Sequence, residues 1–358
     1  MRILILTNHS FMFWQFRREL TAELSKDNQV YLSLPFGDHV EDLKALGCTL
    51  IDTPISRRGI NPFTDWRLWK SYMALIKQIN PDKVITYSIK PNVYGGLVCK
   101  KLGIPYYTNV QGLGTAFQHP VLASFVSFLY KRALRDAKTV FFENEDNADF
   151  FRKKRLVADK SICVLPGAGI NLSFFDCQEY PDNDLFHFLF LGRIMREKGV
   201  EELFYAVRRL QEEKYRFHLD LVGFFENEYK QQVDELIADG IATFHGFQQD
   251  PRPFYKMVDC VVLPSYHEGM SNVLLEAAAT GRPIITSDIP GCREAVINNV
   301  TGMLATAKDR ETLYQAMKSM LALSPETRRK MGLDGRDHVH AVFEKNKVVT
   351  MTLNEIYR

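Results

Sequence analysis

Glu268 and Glu276 stand eight positions apart in the run Leu263-Pro-Ser-Tyr-His-Glu-Gly-Met-Ser-Asn-Val-Leu-Leu-Glu276. The pattern reads as a buried strand, Asp259–Leu263, that ends at Pro264, a short loop carrying Glu268 and Gly269, and a helix opening near Ser271. Helix starts expose N–H groups without intrahelical acceptors and the positive end of the dipole, so such a junction suits a phosphate. One carboxylate then lies in the loop and the other about a turn inside the helix, placed for a sugar and a ribose diol. The bland alternative is a capped turn with two incidental glutamates.

A second run, Leu189-Phe-Leu-Gly-Arg-Ile-Met-Arg-Glu-Lys-Gly199, puts Arg193 and Lys198 on a turn between a strand and a helix. Two cations at a strand's carboxyl end neutralise a diphosphate; Arg196 and Glu197 read as solvated neighbours. A third run, Asn109-Val-Gln-Gly-Leu-Gly-Thr-Ala-Phe-Gln-His119, has two glycines of a dinucleotide fingerprint but Phe117 in place of the third, which disfavours a dehydrogenase. It reads as a tight loop in which His119 is a candidate acid–base or sugar contact. In the first strand–helix loop, Thr7–Trp14, His9 and Ser10 are candidates, with Arg17 just inside the helix. Asp182-Asn-Asp184 offers the hard oxygens of a divalent-ion site. It sits away from any strand end, so no metal is expected.

These residues need rigid elements behind them. In the first half, strand patterns at Arg2–Thr7, Val30–Leu34, Lys83–Tyr87, Tyr106–Val110 and Thr139–Glu143 alternate with helical patterns at Gln15–Ser25, Pro62–Ile79, Val93–Leu102, Leu122–Arg135 and Glu145–Lys154. After a polar, linker-like stretch, Phe175–Asp184, strands Phe186–Leu191, His218–Val222, Cys260–Leu263 and Pro283–Thr286 alternate with helices near Val200–Glu213, Tyr229–Ala238 and Ser271–Thr280. Near-continuous apolar strands separated by helices imply parallel sheets covered on both faces. The expectation is α/β: two tandem doubly wound, Rossmann-like domains, residues 1–175 and 185–340, with ligands beyond the strands' carboxyl ends. Residues 341–358 are expected to form a helix returning to the first domain.

The chain has 358 residues, 46% hydrophobic and 25% charged, which excludes disordered, collagenous and small disulfide-scaffold classes. Six scattered cysteines without a CxxC pair fit a reducing cytosol. The apolar start Arg2–Thr7 is too short for a signal-peptide core. Residues 102–130 carry no Asp, Glu, Lys or Arg, yet their uninterrupted apolar part, Val121–Tyr130, is ten residues long where a membrane span needs about twenty. The net charge of +2 splits into +8 for residues 1–170 and −6 for residues 171–358. A basic half points to phosphates or an anionic membrane; no nucleic-acid motif accompanies it. In Val121–Arg135, Leu122, Phe125, Val126, Leu129 and Ala133 share one helical face, Ser124, Ser127, Lys131 and Arg135 lie opposite, and Phe128 and Tyr130 fall off the stripe. That helix either packs in the core or lies in a membrane interface.

The chain resembles the retaining glycosyltransferases of family 4, of GT-B architecture with a cleft between two domains. The resemblance runs nearly end to end and rests on Gly192-Arg193…Lys198-Gly199, Phe244-His-Gly246…Tyr255…Asp259…Pro264-Ser265 and Glu268…Glu276. Asn61-Pro-Phe63, Gln111-Gly-Leu-Gly114, Asn144-Glu-Asp-Asn147 and Gly169-Ile-Asn-Leu172 look closer still to enzymes of surface-polysaccharide and lipid-linked oligosaccharide assembly. The resemblance implies that Arg193 and Lys198 hold the donor diphosphate, that Glu268 contacts the donor sugar and reacting centre, and that Glu276 binds the ribose. Backbone groups of Gly269, Met270, Ser271 and Asn272 would meet the donor, and Gly246 and Phe247 the nucleobase. On the acceptor side the candidates are His9, Ser10, Arg17, Gln111, Gly112 and His119. Many relatives carry a histidine where this chain has Gln111, which excludes a general base there.

The expected activity is retaining transfer of a hexose or N-acetylhexosamine from a nucleotide-sugar donor, with UDP the expected nucleotide, to a lipid-diphosphate-linked saccharide. No cofactor or metal is expected. The expected location is the inner face of the cell membrane, bound peripherally to its anionic surface. The competing readings are a nucleotide-sugar epimerase or hydrolase of the same fold and a non-catalytic sugar-binding protein.

Overall fold

The computed structural model describes residues 1–56, 61–112, 117, 120–226 and 229–358. The chain forms two compact units, Met1–Gly169 with Asn346–Arg358, and Ile170–Lys345.

The first unit holds strands β1 (Arg2–Leu6), β2 (Gln29–Leu34), β3 (Thr49–Asp52), β4 (Lys83–Tyr87), β5 (Tyr106–Val110), β6 (Thr139–Phe142) and β7 (Ile162–Val164). Its helices are α1 (Ser10–Asp27), α2 (Val40–Ala45), α3 (Pro62–Ile79), α4 (Gly96–Leu102), α5 (Pro120–Ala133) and α6 (Glu145–Lys153). The sheet order is β3-β2-β1-β4-β5-β6-β7, and every pairing is parallel. Chain direction across the sheet reverses between β1 and β4, and a ligand crevice forms at such a switch point.

The second unit holds β8 (Phe186–Leu191), β9 (Phe217–Val222), β10 (Ala242–Phe244), β11 (Cys260–Leu263), β12 (Ile284–Ser287) and β13 (Gly302–Ala305). Helices α7 (Val200–Glu212), α8 (Lys230–Ala238), α9 (Arg252–Met257), α10 (Asn272–Ala279), α11 (Arg310–Ala322) and α12 (Pro325–Phe343) accompany them. The parallel order β10-β9-β8-β11-β12-β13 puts the switch point between β8 and β11. A last helix, α13 (Lys345–Tyr357), inserts Val348, Val349 and Ile356 into the core around Ile3, Ile5 and Ile85 of the first unit.

Three expectations shift. The stretch read as a linker belongs to the second unit: Phe175 enters its core, and the buried Arg282 guanidinium donates to the carbonyls of Gln178 and Glu179. Its backbone is satisfied by a side chain rather than a sheet, so it has a loop's composition. Helix α1 begins at Ser10 rather than Gln15, so the helix starts directly after His9. In α5, Val126, Tyr130 and Ala133 are buried while Phe125 is 45% exposed, so the apolar face expected to hold Phe125 together with Val126 and Ala133 is split. Tyr130 draws its own face inward by packing edge-on against Phe151, 5.2 Å between ring centroids.

Candidate functional site

The loops after β8 and β11 emerge side by side at the switch point of the second sheet. After β8 the chain makes a single helical turn, Arg196–Lys198, which closes on Gly199 at φ +71°. A Cβ on Gly199 would lie 2.0 Å from the Pro264 carbonyl oxygen, so a residue without a side chain lets the two loops touch. The Tyr266 N–H donates to the Glu197 carbonyl across the same seam, 2.9 Å.

This contact brings Lys198 and Glu268 together from 70 positions apart. The Lys198 ammonium bonds Glu268 Oε1, and the Ser265 hydroxyl donates to the same oxygen at 2.8 Å. The two side chains are 17% and 14% exposed, shielded enough to strengthen their attraction yet reachable by a ligand. A third loop, after β12, supports them from behind. Gly291, at φ +83°, would place a Cβ 2.4 Å from the Gly269 oxygen, and its carbonyl accepts the Ser271 N–H at 2.8 Å. The Ser271 N–H is therefore already committed. The Met270 side chain lies in the hydrophobic core, which leaves only its backbone for a ligand. The first turn of α10, from Asn272, supplies the helix-start donors and positive dipole.

Arg193 follows β8 as expected, but its partner is Glu226, beyond β9. Gly246 and Phe247 follow β10. The Phe247 ring is exposed and meets the exposed Phe224 ring at 6.2 Å and 67°, an aromatic corner open to a planar ring. On β9 the buried Asp220 carboxylate bridges His187 Nδ1 (2.8 Å) and His245 Nε2 (2.7 Å). The hydrogen bond to Asp220 raises the His187 pKa, and the histidines hold the Asp220 pKa low against its burial. Glu276 lies inside α10 with only 3% of its surface exposed. It accepts from the Tyr255 hydroxyl at 2.8 Å, and burial pushes its pKa up to about 7 despite Tyr255 and Lys345 nearby.

The carboxyl edge of the first sheet is built differently. His9 stands directly before α1, and Ser10 is buried in its first turn. Arg17, expected as an open contact, is buried, pairs with Glu143 at 2.6 Å and lies over the Tyr87 ring at 5.2 Å. Its charge is taken up within the unit because two strand ends converge on it. Gln111 and Gly112 follow β5, half-buried. His119 lies outside the described residues. A cavity of about 450 Å³ opens at the start of α3, with the Lys90–Asp65 ion pair (2.8 Å) on its wall. The sequence carries no signal for that pair, since each residue is a lone charge in its own segment. Asp182 and Asp184 are exposed, and among the described residues no group of three or more His, Cys, Asp or Glu is arranged to hold a metal ion.

Residues 2–144 match the family described as Glycosyl transferase 4-like, and residues 186–322 the family described as Glycosyl transferases group 1. The chain is 30% identical over 340 residues to the N,N'-diacetylbacillosaminyl-diphospho-undecaprenol alpha-1,3-N-acetylgalactosaminyltransferase of Campylobacter jejuni, covering 90% of this chain and 89% of that one. It is 27% identical over 180 residues to the capsular polysaccharide biosynthesis glycosyltransferase CapM of Staphylococcus aureus, covering 49% and 46%. Among solved structures, a sucrose-phosphate synthase of Thermosynechococcus elongatus superposes with a TM-score of 0.82 at 20% identity, over 100% of this chain and 98% of that one. Anabaena HepE in complex with UDP-glucose superposes with a TM-score of 0.80 at 15% identity, over 99% of each chain. These two likenesses establish the fold.

Proposed function

The chain belongs to the family 4 glycosyltransferases, and on that footing we propose that it moves a hexose or N-acetylhexosamine from a UDP-sugar to a saccharide carried on a lipid diphosphate, with retention of configuration and without a metal. The observation that carries the chemistry is the meeting of Lys198 and Glu268 beside the start of α10. The likeness to the Campylobacter enzyme over about nine-tenths of both chains supports the acceptor class.

In this reading the donor diphosphate lies between Lys198, Arg193 and the first turn of α10. As the sugar–phosphate bond breaks, negative charge grows on the leaving phosphate, and fixed positive groups aimed at it lower the barrier. Glu268, held by Lys198 and Ser265, faces the sugar. Glu276 meets the ribose, and the Phe224–Phe247 corner meets the base. The leaving phosphate oxygen takes the acceptor proton, a role Gln111 is chemically unable to fill. No helix of the described residues is long and apolar enough to cross a membrane. We place the enzyme peripherally on the inner membrane face, where the basic first unit meets anionic lipid.

The test is a screen of UDP-sugars against lipid-linked acceptors, read by mass spectrometry, with the anomeric configuration read by NMR. Transfer with retention, undiminished in EDTA, is expected. Donor hydrolysis or epimerisation with no acceptor product overturns the transfer reading, and activity lost in EDTA and restored by manganese overturns metal independence.

A further inference from the structure

The first unit has a second concavity, of about 860 Å³, enclosed by α4, α5 and the turn after α6. In a parallel sheet the crossover helices run against the strands, so the last turns of α4, α5 and α6 lie toward the strands' amino ends. The concavity is therefore separate from the carboxyl-edge loops described above. Five cations line it: Lys100, Lys131, Arg132, Arg135 and Arg155. Among its described lining residues none is acidic. Lys100 pairs with Asp136 at 2.9 Å, while Lys131, Arg132, Arg135 and Arg155 have no ion-pair partner among the described residues. The rest of the wall is apolar, formed by Leu97, Phe128 and the Leu156–Ala158 turn.

A second observation extends this site. Val121, Phe125 and Phe128 are 87%, 45% and 50% exposed. With Arg132 they follow one another at helical spacings of four, three and four, so they form one outward stripe of α5 that runs into the cationic pocket, where Arg135 joins it from the turn after the helix. A free phosphate ion or a nucleic acid would satisfy the cations but leave the aromatic stripe in water. A molecule with a phosphate at one end and hydrocarbon at the other satisfies both.

We propose that this concavity seats the phosphate headgroup of an anionic membrane lipid, with Phe125 and Phe128 entering the acyl region. The proposal rests on the peripheral-membrane reading and names the contact that produces it.

The test is co-sedimentation of the full chain with phosphatidylcholine vesicles with and without phosphatidylglycerol. Binding only to the anionic vesicles is expected. Arg132→Glu with Arg135→Glu should lower that binding about tenfold or more, whereas Lys26→Glu with Lys77→Glu, the same charge change on exposed lysines outside the concavity, should lower it about twofold or less. Phe125→Ser with Phe128→Ser should also release the protein, and it reads the apolar half if the charge reversals do not fold. Circular dichroism and the thermal shift given by UDP should be unchanged in each variant. Equal losses from the two charge-reversal pairs overturn the seat alone. Failure of the wild-type chain to bind anionic vesicles overturns the seat and the peripheral reading together.

Discussion

The carboxyl edges of the two sheets carry charge in opposite ways. In the second unit, Lys198 and Glu268 pair across two touching loops and stay partly open, and Arg193 is 43% exposed. In the first unit, Arg17 and Glu143 pair across the sheet edge at 7% and 11% exposure, with the arginine buried. A pair with both members partly open can exchange its partner for a ligand at lower cost, because each charge keeps some access to water. A pair whose arginine is buried resists that exchange, because removing the carboxylate strands the guanidinium. The unit boundary also sharpens the charge asymmetry. The first unit holds 25 Lys and Arg against 16 Asp and Glu, a net of +9, and the second holds 20 against 27, a net of −7. Yet the positive charge of the basic unit gathers at α4, α5 and the turn after α6 rather than around Arg17. The acidic unit concentrates a few cations where its loops meet.

The comparison breaks first at its buried end. Arg17→Ala should destabilise the first unit by about 3–5 kcal/mol, as expected for breaking a buried ion pair, with a clear fall in melting temperature. Little change would mean that Arg17 is available to ligands after all. At the open end, Lys198→Ala or Glu268→Ala should keep the fold and lower transfer by about 10²–10³-fold, the loss of one transition-state contact. Near-normal turnover in both variants would refute the site assignment.

Gly291→Ala tests whether the backing loop matters. A side chain at φ +83° and 2.4 Å from the Gly269 oxygen should cost about 1–3 kcal/mol and raise the KM for donor by displacing the Glu268 loop. Unchanged stability and KM would dismiss the support role.

Glu276 refines the picture through pH. Its pKa is raised from 4.5 to about 7 by burial, so as pH rises through this window the unfolded chain releases the proton first. Stability therefore falls from pH 4.5 to 7 and is level above. Glu276→Gln should remove that slope and be about 3 kcal/mol more stable than wild type above pH 7, with no gain at pH 4, while weakening donor binding. Parallel stability curves for the two proteins would contradict it. The smallest effect is expected from Arg193→Ala: at most about 1 kcal/mol of stability for an exposed pair, with weaker UDP binding by calorimetry.

Much of this was legible before the fold. The interior strands announced themselves as apolar runs. The strands without a matching expectation, β3, β7, β10 and β13, are the four sheet edges. Edge strands are short and have one paired neighbour, so β3 and β7 contain no fully buried residue and show little of the usual pattern. In the second unit the phosphate-type loops were legible because each motif lies within one strand–loop–helix passage. The partners were not. Arg193 meets Glu226 over 33 positions and Arg17 meets Glu143 over 126, and Asp220 gathers one histidine from β8 and one from just past β10.

The amino-acid sequence alone determined the α/β class, the two sheets and the positions of Lys198, Glu268 and Glu276 at strand ends and a helix start. Those features follow from period, turn chemistry and capping, which act over a few residues. Tertiary structure alone decided which charges remain open. Gly199 against Pro264 and Gly291 against Gly269 bring Lys198 to Glu268 and leave the pair accessible, while converging strand ends bury Arg17 against Glu143. Exposure and partner choice depend on which distant segments approach within a few ångströms, and no local pattern encodes that.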